Sequence, residues 1–316
     1  MNSRKNTGIA VAAFVVWQAM GPVPWHAQES VGAELAEEYA KQEEIYRRAR
    51  AHRGYVIDRT LEGYADMLPD EFDRALASLG PQDRWLDVGA GQGQAILDYY
   101  TPRYDRTHPA GRKRRGKKAK SVAVSIEDRR TPEWHKSVAA LEAEKVQYRH
   151  GKRLREYSPE ELGRFQLITD VMGGFSYTSD LSRYIQSVMQ LLELDGSFFT
   201  ILQDVELEAQ TNKPWYDGYS FATEIESPGG PNVTICSWLK SIACAEVRCE
   251  AREDRRPQAE VYHIRKVCND VSVPALVPVE FYAGTPPQRG YRLAEPAPHS
   301  GSDHRMPLMP QNKTAF

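Results

Sequence analysis

The chain has 316 residues, enough for one large domain or two smaller ones. With 41% hydrophobic and 27% charged residues it can bury a core, which excludes wholesale disorder. A formal net charge of −2 excludes a protein that grips nucleic acid with its whole surface, so any basic partner surface must be local.

Residues 1–27 do not read as part of a fold. Arg4 and Lys5 precede an apolar run over 8–20, a Gly-Pro-Val-Pro break follows, and Ala27 offers a cleavage point. That order describes a secretory signal peptide. The run is shorter than the roughly 20 residues of a spanning helix. Trp25 stands three positions before the cut, where a small residue is preferred, so an uncleaved membrane anchor is the rival and an ordinary helix the plainest alternative. Residues 28–80 predict a helical cap. The stretch 31–51 carries its acids early and its arginines late, which suits the helix dipole. Over 55–79, Leu61, Tyr64, Leu68, Phe72 and Leu76 recur at helical steps.

From residue 81 to about 205, strands and helices alternate. A short strand opens at 84 and runs into the glycine-rich turn that ends at 93; the further strand candidates are 121–126, 146–149, 165–169 and 197–202, and the helices between them include 132–144 and 181–194. This alternation predicts an α/β fold, a doubly wound and mostly parallel sheet with right-handed crossovers. Residues 101–120 interrupt it as an inserted loop in which seven of the nine residues 112–120 are basic. No aromatic interleaves that run, so a solvated loop is favoured over a surface for nucleic acid or anionic lipid. Beyond 206 the chain turns strand-rich, with candidates at 233–239, 261–267 and 279–282. The stretch 295–316 reads as a polar tail.

The most informative segment is Asp87-Val-Gly89-Ala-Gly91-Gln-Gly93, three glycines two residues apart directly after a strand. Such a turn adopts conformations that a Cβ penalises and lets a ligand rest on bare backbone. It resembles motif I of the class I, Rossmann-like S-adenosylmethionine-dependent methyltransferases. The dinucleotide fingerprint differs, since it needs two residues between the second and third glycines. The resemblance implies that S-adenosylmethionine is the cofactor, that Asp87 faces its amino group, and that Gly89, Gly91 and Gly93 form the floor beneath it. Glu127, at the end of the second strand, would take the ribose hydroxyls, with Asp128 in reserve. The gap of 34 residues between Gly93 and Glu127 exceeds the generic spacing of about 20 because of the basic insertion. Asp170, at the end of the fourth strand, stands where family members face ligand or substrate. Lys152 departs from the family, which often has aspartate after the glycine there to contact the adenine. In all, the resemblance covers 120 or so of the 316 residues, and it implies a C-terminal extension that completes the sheet with an antiparallel pair.

The sequence names neither the methyl acceptor nor a catalytic base. An acceptor that is a small molecule or a protein is expected. No Asn/Asp-Pro-Pro-Tyr/Phe motif follows the fourth strand and no Pro-Cys occurs, which disfavours nucleic acid. His150 and Tyr177 fall near carboxyl ends of strands and are candidate bases, though each is as readily packed or solvated. The rival readings are an exported binding module that kept the fold without the chemistry, and a protein that meets anionic surfaces through 112–120. Transient membrane contact through that loop or the N-terminal segment belongs to the same reading. The four cysteines fall between 236 and 268. They permit two disulfides, with three connectivities open, and they lack the CxxC spacing of a zinc site, so no metal is expected.

Overall fold

The computed structural model describes residues 59–101, 119–142, 144–203, 222–252, 259–282 and 288–294. The expected signal segment, the 31–51 helix, the 295–316 tail and all of the basic run except Ala119 and Lys120 lie outside those residues.

The centre is a seven-stranded sheet. Its first five strands are β1 (Arg84–Val88), β2 (Lys120–Ser125), β3 (Val146–His150), β4 (Phe165–Val171) and β5 (Leu192–Gln203). β1 pairs in parallel with both β2 and β4, with Asp87 opposite Ala123 on one side and Thr169 on the other. β2–β3 and β4–β5 are parallel as well. After β6 (Ala222–Glu226), the strands β7 (Ala245–Arg252) and β8 (Ala259–Lys266) close the order β3-β2-β1-β4-β5-β8-β7. β8 runs antiparallel to both β5 and β7. This is the doubly wound, Rossmann-like methyltransferase layout that the sequence led us to expect, including its closing antiparallel pair.

Side chains alternate across the strands, so each face builds its own core. On one face Leu86, Val88, Val124 and Ile168 meet the buried Ile185, Val188 and Met189. On the other, Trp85, Ala123, Leu167 and Phe199 meet Phe72, Ile96 and Trp134. The first face is covered by the helix α7 (Leu181–Leu191), and shorter helices precede it in the chain. These are α1 (Leu61–Met67), α2 (Asp70–Ser78), α3 (Gln94–Tyr99), α4 (Pro132–Ala139), α5 (Pro159–Leu162) and α6 (Gly174–Tyr177). In α7, Leu181, Tyr184, Ile185, Val188 and Met189 form one buried stripe, and the Asp180 carboxylate caps the helix by accepting from the Arg183 amide at 3.2 Å.

The structure corrects four sequence expectations. The helical stretch 55–79 is two helices, because Leu68 and Pro69 are extended and end α1 before α2 begins. The helix expected over 132–144 stops at Ala139. α7 stops at Leu191, not 194, and β5 starts at once; Asp195 (φ 62°) and Gly196 lie inside that strand. Finally, 233–239 is not a strand. It holds the helix α8 (Ile235–Lys240), begun by Thr234, whose hydroxyl accepts from the Ser237 amide. Ile235, Trp238 and Leu239 bury on one side of it, and a short apolar run of this kind fits either element until packing decides.

The C-terminal extension does more than complete the sheet. β6 joins β9 (Leu276–Tyr282) and β10 (Gln288–Leu293) in a separate three-stranded sheet, in the order β6-β10-β9. Two disulfides bind this part together: Cys236–Cys249 ties α8 to β7, and Cys244–Cys268 joins the turn before β7 to the exit of β8. Among the described residues, no helix is long and apolar enough to cross a membrane.

Candidate functional site

The site sits at the carboxyl ends of β1, β2 and β4. There the sheet order reverses between β1 and β4, and α/β sheets open a crevice at such a point. Three chain segments meet at it: the glycine turn after β1, the acidic turn after β2, and the Met172-Gly173-Gly174 turn after β4.

The glycine turn curls toward β2, with the amides of Gly89 and Ala90 both donating to the Val124 carbonyl at 2.9 and 3.1 Å. Gly89, Gly91 and Gly93 all have positive φ, at 71°, 57° and 82°. Two of them are also required by close packing. A Cβ on Gly89 would stand 2.5 Å from the Gly173 Cα, and one on Gly93 would stand 2.2 Å from Cζ3 of Trp134. Gly89 is nevertheless exposed on its outer side, so the turn presents bare backbone at the crevice.

Asp87 lies beneath this turn and is fully buried. Its carboxylate accepts from the Tyr64 hydroxyl of α1, 3.1 Å from either oxygen, and from the Thr169 hydroxyl at 2.7 Å. Trp85 Nε1 donates to the same Thr169 oxygen at 2.8 Å. The helical cap is tied down a second time, by the Leu61 amide donating to Asp98 of α3 at 3.1 Å.

Glu127 is exposed just past β2, and Arg129 Nη2 holds its Oε2 at 2.9 Å. Asp128 turns instead to Arg130, at 2.7 Å, and to His150, at 3.6 Å; the Arg130 guanidinium keeps its carboxyl below the usual range. Lys152, beyond β3, pairs with Glu161 of α5 at 2.6 Å.

Asp170 is fully buried. Its two oxygens accept from the amides of Gly173 at 2.7 Å and Phe175 at 2.8 Å, and from the Tyr184 hydroxyl. Burial raises its carboxyl to about 6, against the opposing pull of those donors. At the other end of α6, buried Arg289 of β10 donates from Nη1 to the carbonyls of Phe175 and Thr178, at 2.9 and 2.6 Å. An acid therefore caps the start of α6 and an arginine its end, as the backbone charges demand. The second sheet docks onto α6 and the residues that follow it through this arginine and through the Tyr291 hydroxyl, which donates to the Ser179 carbonyl at 2.6 Å.

The sequence-named residues thus converge on one crevice: Gly89, Gly91 and Gly93 on the turn, Glu127 at its exposed rim, and Asp87 and Asp170 buried beneath. Tyr64, Trp134, Tyr148, Thr169 and Arg289 were missed, because their local sequence does not say which residue each will meet. Cys236 and Cys249 also approach Glu260, but they are bonded to each other, which consumes the thiolates a metal would need.

No protein-family model matches the chain, and no curated protein does. Solved structures of similar layout exist. The N-methyltransferase NodS from Bradyrhizobium japonicum WM9, in complex with S-adenosyl-L-homocysteine, is 10% identical with a TM-score of 0.42, over 72% of this chain and 98% of its own. The 1,6-didemethyltoxoflavin-N1-methyltransferase of Burkholderia thailandensis is 15% identical with a TM-score of 0.39, over 81% and 99%. The [4+2]-cyclase SpnF is 12% identical with a TM-score of 0.42, over 63% and 81%. These are likenesses of layout, and no chemistry follows from them.

Proposed function

We propose that this protein is an S-adenosylmethionine-dependent methyltransferase acting on a small molecule or a protein. One observation carries the reading: a turn of three positive-φ glycines, bare on its outer side at Gly89, opens at the switch point beside the exposed carboxylate of Glu127. The residues fit the cofactor. A bare turn accepts the methionine and sulfur end at van der Waals distance, and a carboxylate at the end of β2 can accept both ribose hydroxyls.

When bound, S-adenosylmethionine supplies an electrophilic methyl group. The chain's own contribution is to position it. Gly89 leaves room, Glu127 orients the ribose, Asp170 fixes the turn after β4 through the amides of Gly173 and Phe175, and Asp87 ties α1 and β4 to β1. Both acids are buried, and a direct contact of Asp87 with the ligand amino group would require the Tyr64 hydroxyl to yield its place. Two disulfides support an oxidising, exported location for the chain.

Calorimetric titration of the protein with S-adenosylmethionine and S-adenosylhomocysteine tests this. Micromolar binding is expected, lost in Gly91→Arg and weakened in Glu127→Ala. Absence of binding at millimolar ligand by a folded chain would sink the enzyme reading and leave a module that kept the fold alone.

A further inference from the structure

The three turns at the crevice are separate in sequence, and a hydroxyl from the edge of the sheet connects two of them. Tyr148 lies on β3, paired with Ala123 of β2. Its hydroxyl donates to the Gly91 carbonyl at 2.6 Å. The same oxygen receives the Arg129 amide at 3.4 Å and stands 3.3 Å from the Glu127 carbonyl. The phenol is therefore one link in a chain from the acidic turn to the glycine turn.

Two side chains pack against its ring. Trp134 of α4 meets it edge-on, with centroids 5.4 Å apart, and the Arg130 guanidinium lies 5.5 Å from its centroid. Trp134 is itself the ring against which Gly93 packs. Burial holds the phenol above its ordinary value, so the hydroxyl keeps the proton it donates.

We infer that Tyr148 is a positioning residue that fixes the distance between the glycine turn and Glu127, and so sets how strongly the site selects a ribose. This inference rests on the S-adenosylmethionine reading given above. If the two turns moved independently, a ligand bridging them would have to order both on binding. With Tyr148 in place, that ordering is already built into the free protein.

The test uses the full chain and its Tyr148→Phe variant, which keeps the ring against Trp134 and removes only the hydroxyl. Each is titrated with S-adenosylhomocysteine and with its 2′-deoxyribose counterpart, and the exchange of the Arg129 amide is followed without ligand. The variant is expected to bind S-adenosylhomocysteine about three- to tenfold more weakly, the loss of one net hydrogen bond. Its preference for ribose over deoxyribose is expected to shrink, and the Arg129 amide to exchange faster. An unchanged preference together with unchanged Arg129 exchange would overturn the inference. If the unaltered protein binds neither ligand while the variant's Arg129 exchanges faster, the strut between the turns stands and it is the cofactor reading that fails.

Discussion

Gly89 and Gly173 face each other backbone to backbone across the switch point, so closely that a Cβ on Gly89 would fall 2.5 Å from the Gly173 Cα. The contact joins the turn after β1 to the turn after β4, and it leaves no space for a side chain on either. A Cβ on Gly173 would in addition meet the Val88 carbonyl and Asp170 Oδ1, both at 2.6 Å. Gly89→Ala adds the strain of a positive φ to the clash, whereas Gly173 has no such φ. Both substitutions are expected to lower stability, Gly89→Ala by roughly 2–4 kcal/mol and Gly173→Ala by about 1–3 kcal/mol. Urea midpoints measure this, and a Gly89→Ala chain as stable as the unaltered protein would contradict the packing described.

Buried Asp170 and half-buried His263 are expected to give opposite pH dependences. Asp170 has its carboxyl raised from 3.8 to about 6 by burial, so the unfolded chain releases that proton first. Its contribution is therefore greatest below 3.8 and falls away as pH rises to about 6. His263, stacked on Phe199 at 4.2 Å, is lowered from 6.5 to about 4, chiefly by burial. The unfolded chain takes up that proton first, so its contribution is full above 6.5 and is lost as pH falls toward 4. Relative to His263→Gln, the unaltered protein should gain stability as pH rises from 4 to 6.5; relative to Asp170→Asn it should lose stability between 3.8 and 6. Urea midpoints of the three proteins across that range check both signs, and parallel curves would show that neither group is titrating as its burial demands.

The disulfides differ in the length of chain they close, 13 residues for Cys236–Cys249 and 24 for Cys244–Cys268. On the chain-entropy account each contributes about 3 kcal/mol, and the longer loop contributes about 0.5 kcal/mol more. Replacing Cys244 and Cys268 with serine is thus expected to lower stability more than replacing Cys236 and Cys249. Thermal melting of the two double variants, with and without reductant, measures the order. The glycine crevice lies on the far strands of the sheet, so affinity for S-adenosylhomocysteine should survive either loss. A ligand affinity that vanished with the disulfides would place the extension within the binding machinery itself.

Elements whose signal is local were legible before any contact was known. The alternation over 81–205 fixed the parallel sheet, because a strand's period of two and a helix's of 3.6 are written in adjacent residues. The run Asp87 to Gly93 fixed a turn after the first strand, since three glycines at that spacing announce positive φ before any contact is known. An even cysteine count in one window permitted two bridges. The remaining features depend on residues far apart in the chain, which the packed fold brings together. It chose helix for Ile235–Lys240, because packing of Trp238 and Leu239 settles an apolar run that suits both elements. It selected one of three cysteine pairings, and it gathered β6, β9 and β10 into a second sheet. It also placed Tyr64 and Thr169 on Asp87, and Tyr148 on Gly91, across separations of 23, 82 and 57 residues. Local periodicity carries no information about partners at such distances, because what brings them together is the burial of each sheet face against its own helices.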